Sequence, residues 1–506
     1  MDQAVLIRSI RPGVAVILIL GGFFISGCTY SSYDKSIQEY VAPSSASPWK
    51  PTEETTTETT PASAPVDIPE KLLKQGSKWK LADIIEVALR NSPDTRQTWY
   101  AARSAAADWL STKGNRYPGI DATAGMSRMD VLTSTAPSAS RTIPSATSFT
   151  SSVGLTWLLF DFGGRSASIE EKRRTLLAAD FSHNAAIQDQ VFTVIQAYFQ
   201  YANARALEKA LETSVNEAST NLGAAEDRHR NGLATIADVL QAKTSLSQAR
   251  LNLESTKGQV KTIRGALATA MGIPANTPYD IEDLPMAPPV DHASEAVEEY
   301  IKQAEKNSPD LAAQKNRVEA SIAQTKVSRS DIYPSISVGD TLASEYSKLS
   351  SQFDADNIAS IQIKIPLWKG RSMRYNLLKS EQDAENQKAK LQSLRQNIIL
   401  QVWSSYYTLQ TSVHRVKAAG DLMASAEQSY EVALGRYKEG VGALLDLLSA
   451  QSALMNARAQ QISAQSDWYT SFSQLARDTG MLWSDNEKDN KKLLDTFPTA
   501  IIKEQH

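Results

Sequence analysis

The chain has 506 residues, 42% hydrophobic and 22% charged, enough apolar content for two or three packed domains and too much for a disordered chain. Its formal net charge is only −3, so no basic footprint points to a nucleic-acid partner. The single cysteine, Cys28, excludes an internal disulfide and a thiolate metal cluster, and the five histidines (His183, His229, His292, His414, His506) are scattered.

The first elements are targeting features. Arg8 and Arg11 make a basic start, and Val14 to Ile25 is an apolar run too short to span a bilayer comfortably. It ends in Ile25-Ser26-Gly27-Cys28, which resembles the lipobox of bacterial lipoproteins. Residues 1–27 are therefore expected to be a signal peptide, with Cys28 carrying covalent lipid; a plain secretory peptide or an uncleaved anchor is the alternative. Thr29 follows the cysteine, not the Asp that resembles an inner-membrane retention signal, which favours the outer membrane. Residues 28–70 are expected to be a lipid anchor and an extended arm, because 41–67 is dominated by Pro, Ser and Thr.

The body is an internal duplication. Asn91-Ser92-Pro93-Asp94 recurs as Asn307-Ser308-Pro309-Asp310, and Tyr117-Pro118 as Tyr333-Pro334, both at an offset of 216. Gly164-Arg165 recurs as Gly370-Arg371 at 206. Arg228-x-x-x-Gly232, Asp238 and Gly272 recur as Arg436-x-x-x-Gly440, Asp446 and Gly480 at 208. The repeats are set at 71–272 and 292–480, with a Pro-rich linker over 273–291 and a polar tail over 481–506.

Each half changes its hydrophobic period in the same order. Leu81, Ile84, Ile85, Ala88 and Leu89 share one helical face. After each Tyr-Pro the period becomes two. Val153, Leu155 and Trp157 alternate with Ser152, Gly154 and Thr156; Ile361, Ile363 and Ile365 alternate with Ser360, Gln362 and Lys364. Each half thus holds a strand pair, with polar tips near 131–148 and 347–356, and these apolar residues are expected to face lipid. Asp340 interrupts the apolar face of its strand. From Arg165 the pattern is helical without proline until Pro274; a helix of about 65 residues spans ~100 Å, turns at Asn231-Gly232, and runs back to Met271. The plan repeats after Arg371 with its turn at Glu439-Gly440.

Four alternating strands cannot close a barrel in lipid, where no edge can stay unpaired. A hairpin ~100 Å long cannot cover its own apolar stripe. Both point to an oligomer forming a duct. These motifs, twice and in order over about residues 70–480, resemble the TolC-like outer-membrane efflux family, and the lipobox and arm resemble its lipoprotein branch. The resemblance implies an α+β fold: a homotrimer with a twelve-stranded β-barrel continued by a twelve-helix periplasmic α-barrel. It implies a periplasmic adaptor and an inner-membrane pump, of resistance-nodulation or ABC type, as partners.

By the same resemblance the turns Gly232-Leu233-Ala234-Thr235 and Gly440-Val441-Gly442-Ala443 dock the adaptor, and Asp446, with its repeat mate Asp238, stands at a gate. The family's second acidic gate position is Ser449 here and its arginine is Gly442, which puts the usual salt-bridge latch in doubt. Helix-terminus stabilisation is the competing role for Asp446. Gly163-Gly164 and Gly440-x-Gly442 are too short for phosphate loops, so no catalytic residue, metal or cofactor is expected beyond the lipid on Cys28. Three functions fit: a drug-efflux duct, the exit duct of a type I protein secretion system, or a pore-free structural coiled-coil lipoprotein of the periplasm.

Overall fold

The computed structural model describes residues 37, 40–49, 67–69, 78–130, 145–282, 296–347 and 352–482. The expected signal peptide, Cys28 and nearly all of the C-terminal tail lie outside these residues.

The repeated Asn-Ser-Pro-Asp motif is a helix junction. Helix α1 (Leu81–Asn91) buries the expected apolar face and stops at Ser92. Ser92 then caps α2 (Pro93–Gly114), its side chain accepting from the Thr95 N–H, with Pro93 in the first turn where a missing N–H costs nothing. Ser308 does the same between α5 (Val297–Asn307) and α6 (Pro309–Ser330). Helix α3 (Gly164–Arg230) has 67 residues and α7 (Ser372–Lys438) also has 67; their return helices α4 (Ile236–Ala270) and α8 (Leu444–Asp478) each have 35. The short pairs match too, at 11 and 22 residues.

The long helices are therefore related by an offset of 208 from their first residue, which corrects the offset of 206 for Gly-Arg. Gly370-Arg371 occupies the place of Phe162-Gly163, and both pairs take positive φ to turn the chain from strand into helix. Gly164 is instead the first residue of α3, pressed against Ser330 of α6.

Strands β2 (Gly119–Asp130), β3 (Ser145–Phe160), β5 (Ser335–Ser347) and β6 (Gln352–Lys364) form one antiparallel sheet in the order β2-β3-β5-β6. The strand tips are shorter than expected: Ser127 pairs with Ser148 and Tyr346 with Phe353, so 145–148 and 352–356 are strand. The register sets Ile120, Leu155, Asp340 and Ala359 in one row and Ala122, Val153, Leu342 and Asn357 in the next row of that face. Trp157, Val338 and Ile361 continue it. A register shift between Leu158 and Phe160 ends the alternation at Leu159, and Ile365 lies just past the end of β6, outside the strand.

A parallel two-residue pair, β1 (Lys78–Trp79) with β4 (Asp280–Ile281), ties the start of the first half to the chain entering the second. Ile273, Tyr279 and Ile281 are buried in the main core, so the first part of the 273–291 segment is packed structure rather than free linker. Apolar residues spaced between the prolines provide that anchoring. The N-terminal arm is corrected in the same way. Val41, Ala42 and Trp49 are buried against α2 and α3. The Trp99 indole N–H donates to the Ala42 carbonyl at 2.8 Å, and Asn184 both accepts from the Trp49 N–H and donates to its carbonyl. The arm is a strap here because three apolar side chains break its polar run and distant side chains satisfy its backbone.

Candidate functional site

The two hairpin tips share one construction. Gly232 and Gly440 take φ of 76° and 82°, a left-handed conformation that glycine adopts without a Cβ penalty. The Leu233 N–H donates to the Arg228 carbonyl, and the Val441 N–H to the Arg436 carbonyl. Leu233 and Val441 are thereby held out into solvent, one apolar residue at each tip. Gly442 sits close to the preceding helix end: a Cβ there would lie 3.0 Å from the Arg436 Cβ and 3.1 Å from its carbonyl carbon. A side chain at this position would press on Arg436 and the Tyr437 backbone, although the matching position of the first turn is Ala234.

The two aspartates separate in role. Asp238 belongs to a capping box. Its carboxylate accepts from the Thr235 N–H and hydroxyl, both at 2.8 Å, and its own N–H donates to the Thr235 hydroxyl. The Thr235 backbone hydrogen bond, followed by its hydroxyl, holds the Asp238 pKa below its ordinary value. In the second half Ala443 replaces the threonine and gives no side-chain cap. Asp446 is left exposed, lining a groove of about 460 Å³ between α7 and α8 with Arg436, Gly442, Ser425 and Ser429.

Arg228 joins the tips. Its guanidinium donates to the Tyr437 carbonyl at 2.6 Å and lies 4.9 Å from the centre of the Tyr437 ring. The repeated Arg-x-x-x-Gly spacing marked this arginine, but nothing local identified its partner, which is 209 residues away.

On the sheet, Val153, Trp157, Ile361 and Ile363 are exposed on the apolar face, as is Ile365 just beyond it, and Leu155 is half-buried. At the base of the strands Phe162 stacks on Tyr333 and meets Phe160 edge-on, while the Trp157 indole donates to the Arg116 carbonyl. A cavity of about 860 Å³ opens where strands become helices, lined by Asp161, Arg165, Asp331, Lys364 and Lys369. No helix among the described residues is long and apolar enough to cross a membrane.

Long paired helices continuing a four-stranded sheet with an exposed apolar face define a channel-type protomer. The model of the family described as outer membrane efflux protein matches residues 84–273 and 300–481. Protein CyaE of Bordetella pertussis is 29% identical over 402 residues, covering 76% of this chain and 80% of its own. The probable efflux pump outer membrane protein TtgC of Pseudomonas putida is 22% identical over 400 residues, covering 77% and 82%. The crystal structure of VceC from Vibrio cholerae superposes with a TM-score of 0.69 at 20% identity, over 79% of this chain and 96% of that one. The chain belongs to the outer membrane efflux protein family. It is a transport protein of the cell outer membrane that extends into the periplasm as part of an efflux tunnel.

Proposed function

We propose that three copies form the outer-membrane channel of a tripartite export system, a passive exit for small molecules driven by an inner-membrane pump. The carrying observation is the sheet: four antiparallel strands whose edges β2 and β6 have no partner strand among the described residues, with one apolar face exposed. In lipid those edges must be paired, and three copies of four strands close a twelve-stranded barrel. Two long and two shorter helices running from the sheet then make a twelve-helix tube. No step in this role needs a catalytic residue; the energy is spent in the pump.

Cys28 is taken as the lipid anchor. The strap supports this. Tyr40 packs edge-on against Trp109, near the end of α2 that leads into the strands, and Trp49 packs on Phe181, farther along α3. The strap thus enters from the membrane side. Eleven residues lie between Cys28 and Tyr40, a reach of about 40 Å at full extension. Changing Cys28 to Ser should abolish acyl labelling, and persistent labelling would end that reading.

Leu233 and Val441, presented by rigid turns, are the contact points for a periplasmic adaptor. Asp446, free of the cap that holds Asp238, is the charged element of the gate. The test is reconstitution. Purified protein should migrate as a heat-modifiable trimer and conduct in planar bilayers, and its deletion should raise intracellular drug accumulation. A monomer without conductance overturns the proposal. An exit duct for a secreted protein stays as the second reading, because the relative at 29% identity carries a name without an efflux pump, whereas TtgC at 22% carries one. Loss of a secreted protein from the medium, with drug accumulation unchanged, would select it.

A further inference from the structure

The groove between α3 and α4 of the first half is filled by the second half of the same chain. Three of its residues hold three of the incoming ones: Glu217 pairs with Arg458 at 2.9 Å, Asn221 donates to Gln451 at 2.9 Å, and Arg228 clasps Tyr437. Leu444 and Leu447 of α8 pack beside Ala225 and Ala242.

Because α3/α7 and α4/α8 match residue for residue at an offset of 208, the groove between α7 and α8 is the same groove once more. The positions of Glu217, Asn221 and Arg228 are taken there by Ser425, Ser429 and Arg436, all of which line it. The positions of Arg458, Gln451, Tyr437 and Leu444 are taken in the first half by Arg250, Lys243, His229 and Ile236. All four of these are exposed: Ile236 is 58% exposed, whereas its mate Leu444 is 4%.

We propose that the α7–α8 groove seats the α4 face of a second copy, and that this seam, unlike the seam inside each chain, brings in cations without matching acids. The occupant is another copy of this chain because only its first half carries the residues that the repeat superposes on the filled groove. Arg250 then meets Ser425 where the chain's own seam has an ion pair, and Lys243 meets Ser429 where it has an amide pair. His229 enters between Arg436 and Asp446, as Tyr437 stands by Arg228 and Asp238. Among the described residues Asp446 is the one carboxylate lining the groove. The three seams between copies are the weaker half of the six, so the tube opens there first. This rests on the trimer proposed above.

The test is a coupled substitution in the full chain, read as trimer dissociation temperature and open probability in planar bilayers. Ser425→Glu supplies the missing acid opposite Arg250. It should raise the dissociation temperature and lower open probability several-fold, and Arg250→Ala should erase both effects. As a second readout, cysteines at 229 and 436 bridged by a short bismaleimide should give covalent dimers and trimers on a heated gel. Cysteines at 228 and 437 should cross-link within one chain and give no ladder. A trimer that shows neither the ladder nor dependence of Ser425→Glu on Arg250 overturns this inference and leaves the trimer standing. Wild-type protein that never forms a trimer overturns both.

Discussion

Replacing Gly272 by Ala tests how the helix ends are locked to the Asn-Ser-Pro-Asp junctions. Gly272 has φ of 71° at the end of α4, and a Cβ there would lie 2.7 Å from the Asn91 carbonyl oxygen and 2.8 Å from its carbon. Backbone cannot rotate away as a flexible side chain does. Two costs add: about 1–2 kcal/mol for a left-handed L-residue, and about 1–3 kcal/mol for overpacking. The expected loss is roughly 2–5 kcal/mol. Gly232 is the control. Its φ of 76° is nearly the same, but among the described residues nothing lies within 4 Å of its Cβ position. Gly232→Ala should therefore cost only the first part, about 1–2 kcal/mol. Gly480, at φ 73° with the Asn307 carbonyl oxygen 2.9 Å away, is a built-in replicate of Gly272. The assay is loss of helical circular dichroism on heating in detergent at one fixed scan rate, since unfolding of such a protein is read as a rate. Gly272→Ala and Gly480→Ala should fall together, well below Gly232→Ala. Equal losses at all three positions would refute the close-approach argument.

Three further outcomes follow from the geometry. Leu155→Arg or Ile363→Arg should cost about 2–4 kcal/mol of barrel stability, while Thr156 or Gln362 substitutions stay mild; equal damage would show that the lipid face is misassigned. Asp446→Ala should reduce cation selectivity and divalent block in planar bilayers with only a modest rise in conductance, because the apolar packing of Leu444 and Leu447 remains. Asp180 in α3 is fully buried, neither carboxylate oxygen has a hydrogen-bond partner among the described residues, and burial pushes its pKa up to about 9 from an ordinary 3.8. Between those values the folded chain holds a proton that the unfolded chain releases, so stability should decline as pH rises, by of order 2–3 kcal/mol from pH 7 to 9. Asp180→Asn should remove this alkaline slope in melts from pH 6 to 10; an unchanged slope would assign it to other groups.

The architecture was legible because it is periodic and stated twice. Apolar spacing gave the helical and strand segments, and each Gly after Arg-x-x-x marked a turn that only positive φ allows. Long-range contacts were not legible. The strap over 40–49 reads as linker by composition, yet Asn184 and His183 of α3 reach its backbone. The β1–β4 pair is too short for any period. Asp238 and Asp446 look alike as repeat mates, and only the exchange of Thr235 for Ala443 shows that one is a cap and the other is not. The Gly-Arg repeat misled by two residues, because the same dipeptide falls inside the helix in one half and on its approach in the other.

The matched lengths of 67 and 35 residues leave the tube almost no freedom to drift in length. One residue inserted into α7 alone turns everything beyond it by about 100° and advances it by 1.5 Å. That would carry Tyr437 away from Arg228 and swing the second tip out of line with the first. The two long helices behave like the teeth of meshed gears: a tooth added to one wheel demands a tooth on the other. The strand segments carry no such constraint. Between Tyr-Pro and the long helix, the second half is eight residues shorter than the first, its offset falling from 216 to 208, and the sheet still pairs. Change of length is therefore tolerated at the outer mouth and forbidden along the shaft.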